Sequence, residues 1–588
     1  MKKVIRNIRY FVPILFKVNP FYFFIVVFNA IFQSAVTLAN VYFSKDIIEV
    51  LVNDRTKEGL IRIIVFYIAL FFILQVLIRI LRSMQEYFTR KARHTLDDMF
   101  NKKVAEIDYF LFEDPIFNKE MDYAKEGMNN YTNGIYSFTL MLTNIISSVV
   151  SISGVIVIVI MFKNPIILAF FALSLVISFI VSTRYQNAGE RYNKKWNETR
   201  LKHWYFIESI FNFPNHLSLR NYDAIDIIKD KNDKYSSIQL EDIKENAKSN
   251  LFTGFLGNIN VYLFSGVVIV VLIISAFNGK ITIPEFSMLF TSIFVLQGNF
   301  ENLIYCTKQY LKDCDYLDNY INFMERETIY KDGKKEIDKI TSVEFKNVYF
   351  KYPRCSDYVL EDVSFKIDLN KKISLVGVNG AGKTTIIKLI WRFFSPDKGE
   401  ILINGININE LDEHSLLKNL SIVFQDFKII SFMVKENIEI DKDNKEHLDD
   451  VLKKALIYDR IQELPKKEYT YVNKWFDKEG VVFSGGEMQK IAFARSLYKD
   501  GSLVVLDEPT SALDALSEAK IYHDFNAIVG QKPTLYISHR LSSCIFSDEI
   551  IVLDGKKIVQ IGSHAELMKD KEGLYYQMFN AQAEYYSE

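Results

Sequence analysis

Four stretches in the first half of the chain run for 20 residues or more without Asp, Glu, Lys or Arg. They are Phe21–Ser44 (24 residues), Ile135–Phe162 (28), Asn164–Thr183 (20) and Leu251–Asn278 (28). A helix needs about 20 mainly apolar residues to cross roughly 30 Å of hydrocarbon, so each is long enough to span a bilayer. Two weaker candidates accompany them. Leu60–Leu81 is apolar apart from Arg62 and Arg79 near its ends, where long side chains reach the headgroups. Phe286–Phe300 is short, but Ile281–Glu285 before it and Asn302–Cys306 after it extend it to a span. Buried core helices of a soluble protein are the competing reading, and six such runs within the first 310 residues argue against it.

The loops orient these spans. Lys2, Lys3, Arg6, Arg9 and Lys17 alternate with Val4, Ile5, Ile8, Phe11 and Leu15 in a basic amphipathic segment. Such a segment suits the cytoplasmic face and keeps the N-terminus inside. The outside loops are then short (Asn53–Gly59, Lys163–Pro165, Gly279–Pro284), and the long polar connections Arg82–Gly134 and Arg184–Asn250 fall in the cytoplasm. Both connections carry charge at helical spacing and little Gly or Pro, so the helices are expected to continue past the bilayer. Leu60–Glu106 is 47 residues, about 70 Å of helix, over twice the hydrocarbon thickness. The expected spans are about 18–52, 58–106, 134–162, 164–212, 251–278 and 281–325, within a membrane domain of residues 1–327. The charged stretch from Lys331 to Lys339 marks a linker over 328–340, and a second domain occupies 341–588.

Mean hydropathy is only +0.04, an average of two unlike halves. Lys and Arg number 71 against 72 Asp and Glu, so there is no basic footprint for nucleic acid. Four unpaired-looking cysteines make neither a disulfide framework nor a zinc site. In the second half, β-branched runs alternate with helical segments: Ser342–Tyr349, Lys372–Val376, Ser421–Phe424, Leu503–Leu506, Thr534–Ile537 and Glu549–Leu553. That alternation predicts an α/β domain with a mainly parallel sheet.

The segment Gly377-Val-Asn379-Gly380-Ala381-Gly382-Lys383-Thr384-Thr385 fits G-x-x-x-x-G-K-[ST] between a predicted strand and a predicted helix, Thr384–Phe394. The glycines let backbone N–H groups face phosphate oxygens. Lys383 supplies charge to the β- and γ-phosphates, and the Thr384 hydroxyl is a Mg²⁺ ligand. The helix N-terminus favours the anion. Leu503–Leu506 then ends in Asp507-Glu508, 124 residues beyond Lys383. There Asp507 would hold Mg²⁺, and Glu508 would orient or deprotonate the attacking water. Between them Phe483-Ser484-Gly485-Gly486-Glu487 opens a helix, with a hydroxyl and two glycine amides aimed at an anion.

This ordered set resembles the ATP-binding cassette (ABC) family, with Ser484–Glu487 as its signature loop. The resemblance covers essentially the whole chain: a six-span helical membrane domain with long cytoplasmic extensions, followed by an α/β P-loop NTPase domain, the exporter-type half-transporter plan. It implies ATP and Mg²⁺ as cofactors and assigns further roles. Tyr352 matches the aromatic that stacks on adenine, and Gln425 the glutamine that senses Mg²⁺ and contacts the membrane domain. Asp514, in Ser511-Ala-Leu-Asp514, matches the loop coupling two sites, and His539 the γ-phosphate switch. Asn379, Gly380, Ala381, Gly382 and Thr385 belong to the phosphate loop, with Gly377 at its start.

Because the family's signature completes the partner's site, the resemblance implies a dimer with two sandwiched ATP. A homodimer is the first expectation and a heterodimer with a related half-transporter the second. Closing the sandwich would push on short helices near Asp114–Tyr123 and Arg220–Asp230, turning the spans from inward- to outward-facing. Two features depart from the common pattern. Glu487 replaces the usual glutamine and places a carboxylate near the partner's triphosphate, with weaker affinity or slower hydrolysis expected. Trp475-Phe476-Asp-Lys-Glu-Gly480 and Leu111-Phe-Glu-Asp-Pro-Ile-Phe117 are similar to exporters of modified bacterial peptides (lantibiotics). With no peptidase domain ahead of the first span, the chain is not expected to cleave a leader peptide. The expected function is ATP-driven peptide export across a bacterial-type cell membrane, with the N-terminus and cassette cytoplasmic. Drug or lipid export, and an ATP-gated channel or sensor, are the alternatives. Asn144, Gln297, Asn299 and Glu301 are candidate cavity-lining residues.

Overall fold

The computed structural model describes residues 2–128, 134–161, 213–327, 333–368, 371–439, 445–507, 532–537 and 541–585, with scattered positions between 173 and 211. Two compact units form: residues 1–105 with 119–326, and residues 106–118 with 327–588.

In the first unit, α1 (Lys2–Val18), α2 (Tyr22–Glu49), α3 (Lys57–Glu106), the larger part of α4 (Pro115–Glu126) and α5 (Gly134–Met161) precede α6 (Phe213–Asn221), α7 (Ile225–Phe277) and α8 (Ile283–Met324). Among the described residues four helices are long and apolar enough to cross a membrane: Tyr22–Asp54, Lys57–Glu106, Gly134–Met161 and Ile225–Phe277. The expected span over 164–212 lies largely outside the described residues. The expected span over 281–325 is the continuous helix α8, but Glu285, Gln297, Asn299 and Glu301 dilute its apolar character and it is not among those four. The expected extensions are present, since α3 has 50 residues and α7 has 53, about 75–80 Å each.

The packing of this unit is inverted relative to a soluble protein. Phe24, Phe28, Phe66, Ile68 and Phe72 are exposed, whereas Tyr22, Asn29, Ser34, Gln85, Thr89 and Thr143 are buried. The buried groups bond across helices. Asn29 Nδ2 donates to Gln85 Oε1 (3.2 Å), Gln85 Nε2 to Thr143 Oγ1 (2.9 Å), and Ser34 Oγ to the Ser147 carbonyl (2.9 Å). Apolar outside and hydrogen-bonded inside is the arrangement that lipid surroundings favour. The turn from α7 to α8 is equally legible: Gly279 takes a positive φ (67°), and Thr282 and Glu285 form a capping box beside Pro284. Part of the basic face of α1 meets protein instead of lipid. Lys3 pairs with Asp315 (2.7 Å), and Arg6 with Asp318 (2.8 Å) and Glu325 (2.6 Å) of α8.

The second unit contains two sheets. β1 (Ser342–Phe350), β2 (Leu360–Asp368), β4 (Lys398–Ile403) and β5 (Ile406–Asn407) form an antiparallel sheet in the order β2-β1-β4-β5. The other sheet runs β10-β9-β3-β8-β7-β6, comprising β3 (Lys372–Gly377), β6 (Leu420–Val423), β7 (Leu503–Asp507), β8 (Thr534–Ile537), β9 (Glu549–Asp554) and β10 (Lys557–Gly562). It is parallel from β9 to β6, with β10 antiparallel at one edge. The expected parallel sheet is therefore present, but Ser342–Tyr349 belongs to a separate antiparallel sheet. Three helices matter below: α9 (Lys383–Ile390), α10 (Tyr458–Gln462) and α11 (Gly485–Lys499). The first stops short of the expected Phe394 because the chain turns at Arg392, which takes φ 58°.

Two boundaries differ from expectation. The packing of the second unit begins before residue 341: Ile340 is fully buried in its core, its N–H donates to Ser502 Oγ (2.8 Å), and the Ile337 N–H donates to Ser415 Oγ (3.0 Å). Residues 106–118, expected in the membrane domain, cluster with the second unit because their aromatic side chains pack there: Tyr109 stacks on Phe393 with centroids 4.0 Å apart, and Phe110 joins the same core.

Candidate nucleotide-binding site

β3 leads directly into the phosphate loop. At Gly377 a Cβ would overlap the Leu553 carbonyl of adjacent β9, so the strand packs closely only because the side chain is absent. Gly382 takes φ 101°, and a Cβ there would meet Leu360 Cδ2 at 2.7 Å. Both constraints act on the backbone that sets the loop's curvature. Lys383 Nζ is folded back, donating to the carbonyls of Gly377 (2.8 Å) and Val378 (3.1 Å).

A cavity of about 730 Å³ opens over this loop, lined by Tyr352, Val359, Asn379, Gly380, Gly382, Lys383, Thr384, Thr385 and Gln425. All but Val359 are residues singled out from sequence. Tyr352 reaches the cavity from the turn after β1, and its Oη lies 3.0 Å from Thr385 Oγ1. Thr384 Oγ1 donates to Asp507 Oδ2 at 3.2 Å, so residues 123 apart converge because β7 and β3 flank β8. A hydroxyl and a carboxylate oxygen side by side are a hard-oxygen donor set that fits Mg²⁺.

Some expected residues lie elsewhere. Gly377 and Ala381 shape the loop but do not line the cavity. Ser484, Gly485, Gly486 and Glu487 do not reach it either; they form the start of α11. Glu508, Asp514 and His539 lie outside the described residues.

The family model described as "ABC transporter" matches residues 360–511. The whole-chain fold is similar to a solved structure titled "Structure of a bacterial Atm1-family ABC exporter with ATP bound" (TM-score 0.80, 22% identity, covering 95% of this chain and 98% of that one). The chain is also 29% identical to the subtilin transport ATP-binding protein SpaT of Bacillus subtilis, over 92% of this chain and 88% of the relative. Residues 360–511 belong to the ABC transporter family, and the chain as a whole has the fold of an ABC exporter. A further relative is the ATP-dependent lipid A-core flippase of Escherichia coli K12, 31% identical over 52% of each chain. The cassette of this exporter is an ATPase domain, and the protein is a multi-pass membrane protein.

Several contacts around the cavity over the phosphate loop have no signature in the sequence. Lys388, on α9, bonds Glu113 Oε1 at 2.6 Å and stands 5.4 Å from the centroid of Tyr352. Burial disfavours its charge most strongly of any single influence, but the bond and charge of Glu113, with Tyr352 and Tyr109 beside it, together outweigh that and raise its pKa above the ordinary lysine range. Arg354, two residues past Tyr352, pairs with Asp114 at 2.8 Å. Helical spacing put Lys388 one turn beyond the phosphate loop; nothing local named its partner.

The Ser484–Glu487 segment is built as a capping box. Ser484 Oγ accepts the Glu487 N–H (3.3 Å), and Glu487 Oε2 accepts the Ser484 N–H (2.8 Å). Glu487 Oε1 accepts Arg460 Nε at 2.7 Å. Burial pushes the Glu487 carboxyl up, but the Ser484 N–H and Arg460 together hold it below the usual glutamate range.

In the membrane unit, Gln297 is buried, and neither of its amide atoms finds a hydrogen-bond partner among the described residues. Asn299 donates back to the Val295 carbonyl of its own helix (2.8 Å).

Proposed function

We propose that this ABC transporter exports a modified peptide across the cell membrane, driven by ATP, as a dimer of two copies. The cavity that gathers Tyr352, the phosphate loop, Thr384 and Gln425 carries the ATP reading. In it Tyr352 stacks on adenine and backbone N–H groups of Asn379–Thr385 hold the phosphates. Lys383 exchanges the Gly377 and Val378 carbonyls for phosphate oxygens, a move open to a flexible ammonium group. Thr384 and Asp507 would hold Mg²⁺, which would supply positive charge to offset the negative charge of the phosphates. Glu508 orients the attacking water or takes its proton, His539 contacts the γ-phosphate, and Gln425 senses Mg²⁺.

The signature loop lies away from the cavity of its own chain, which supports a second chain as the source of Ser484, Gly485 and Gly486 at each ATP, with Asp514 between the two sites. The chemistry then needs the sandwich closed, and closure is a two-state change that ATP biases by binding one state more tightly. Residues 109–114 continue directly from α3, which gives the cassette a covalent route to the membrane helices. The N-terminus and the cassette face the cytoplasm.

The peptide reading is supported by the subtilin transport relative, which the chain matches over nearly its whole length, and by the Trp475-Phe476 and Leu111–Phe117 patterns. The flippase relative matches over about half its length and supports the engine more than the cargo. ATPase stimulation of the reconstituted protein by a panel of lantibiotic-type peptides, lipids and drugs tests this. Stimulation by peptides is expected; stimulation by lipids or drugs alone overturns the peptide assignment.

A further inference from the structure

The signature loop carries a carboxylate where its family usually has a neutral amide, and the fold places a cation on that carboxylate. Arg460 comes from α10, 27 residues before Glu487 in sequence, and its Nε donates to Glu487 Oε1 at 2.7 Å. The other oxygen, Oε2, is held by the Ser484 N–H at 2.8 Å. Ser484 Oγ accepts the Glu487 N–H at 3.3 Å, so its own O–H remains a donor. The first-turn N–H groups of Gly485 and Gly486 have no intrahelical acceptor. Arg460 Nη1 has a second acidic neighbour, Glu463 Oε2, at 3.9 Å.

We propose that Arg460 is a positioning residue for ATP hydrolysis, which neutralises and orients Glu487 so that Ser484, Gly485 and Gly486 offer an anion-accepting face to the nucleotide of the partner copy. This rests on the two-copy reading above. In the separate chain the Arg460 and Glu487 side chains keep 40% and 25% exposure, and an ion pair that wet contributes little to folding. Closure of the sandwich changes its weight. Once water is excluded, like charges a few ångströms apart repel several times more strongly, and an uncompensated Glu487 would face a triphosphate. The effect of Arg460 therefore falls on closure and hydrolysis and leaves the fold alone. The low carboxyl pKa of Glu487 accords with a carboxylate that stays charged and paired.

The test uses the full-length protein in proteoliposomes with Arg460→Gln, Arg460→Lys, Glu487→Gln and the Arg460→Gln/Glu487→Gln double variant. Arg460→Gln is expected to raise the KM for ATP about 10-fold, equal to about 1.4 kcal/mol, with an unchanged melting temperature. Arg460→Lys should recover part of the loss, and the double variant should return close to the wild-type KM because no charge is left to neutralise. A double variant as poor as Arg460→Gln, or an unchanged KM in Arg460→Gln, overturns the proposal. Co-purified mixed dimers of Arg460→Gln with Lys383→Ala chains separate this from the two-copy reading. There the only working phosphate loop is served by the intact signature of the Lys383→Ala chain, so a normal KM is expected. A raised KM in that mixture places the effect of Arg460 within its own chain and overturns the two-copy reading.

Discussion

Lys388 Nζ bonds Glu113 Oε1 at 2.6 Å while standing 5.4 Å from the ring centroid of Tyr352. One side chain thus touches both the residue proposed to stack on adenine and the segment that continues from α3. The Glu113 carboxylate is about one-third exposed, so its direct contribution to stability is under about 1 kcal/mol. Glu113→Gln is expected to change basal ATPase activity by less than about fivefold and to lose more of the substrate-stimulated increment. Basal and stimulated rates measured on one preparation check this, and equal losses in both count against a coupling role.

Thr384 and Asp507 meet at 3.2 Å, a pair of oxygens proposed above to hold Mg²⁺. Asp507→Asn is expected to lower Mg²⁺-dependent hydrolysis by more than about 100-fold, the scale of several kcal/mol of lost charge stabilisation. Binding of a fluorescent ATP analogue without Mg²⁺ should persist. Retained hydrolysis at the wild-type rate would remove Asp507 from the site.

The boundary of the cassette can be tested by stability. Ile340 is fully buried and its backbone is bonded to Ser502, so Ile340→Ala should destabilise the cassette by about 2–5 kcal/mol. Denaturant unfolding of the full-length protein, followed by a cassette-specific probe, reads the shift. A change under about 0.5 kcal/mol, the size typical of a surface site, would return residue 340 to the linker.

The pH dependence of the signature loop has a definite sign. The pKa of Glu487 is lowered on folding, since the Ser484 N–H and Arg460 outweigh its partial burial. Its stabilising effect is therefore complete above the unfolded glutamate range and is lost as pH falls through the lowered folded value. Wild type should lose more stability than Glu487→Gln on acidification through that window. Parallel melting curves across it decide the matter; identical acid sensitivity means the capping box contributes nothing.

What could be read from sequence was what sits close along the chain. The phosphate loop is a contiguous run between a strand and a helix, and Asp507 closes a four-residue apolar strand. Both were found where expected, and the long helices α3 and α7 followed from charge at helical spacing. Contacts between distant segments were not legible. Arg460 and Glu487 are separated by 27 residues and a loop, and Lys388 and Glu113 by 275 residues. Residues 106–118 looked like membrane-domain helix because their charges suit one, but Tyr109 and Phe110 find their partners in the cassette core. β2 was missed although its burial alternates, because a half-exposed strand such as Leu360–Asp368 carries a weaker apolar signal than a fully buried one like Leu503–Asp507. Glu508, Asp514 and His539 lie outside the described residues, so their placement at the ATP cavity rests on resemblance.

The central claim is that ATP hydrolysis moves a peptide outward against its gradient. The most direct measurement is uptake of a labelled lantibiotic-type peptide into inside-out vesicles containing the wild-type protein or Lys383→Ala. ATP-dependent accumulation inside the vesicles above the external concentration is expected, abolished by Lys383→Ala. Uptake that only equilibrates the two sides, or that proceeds equally with Lys383→Ala, would contradict it.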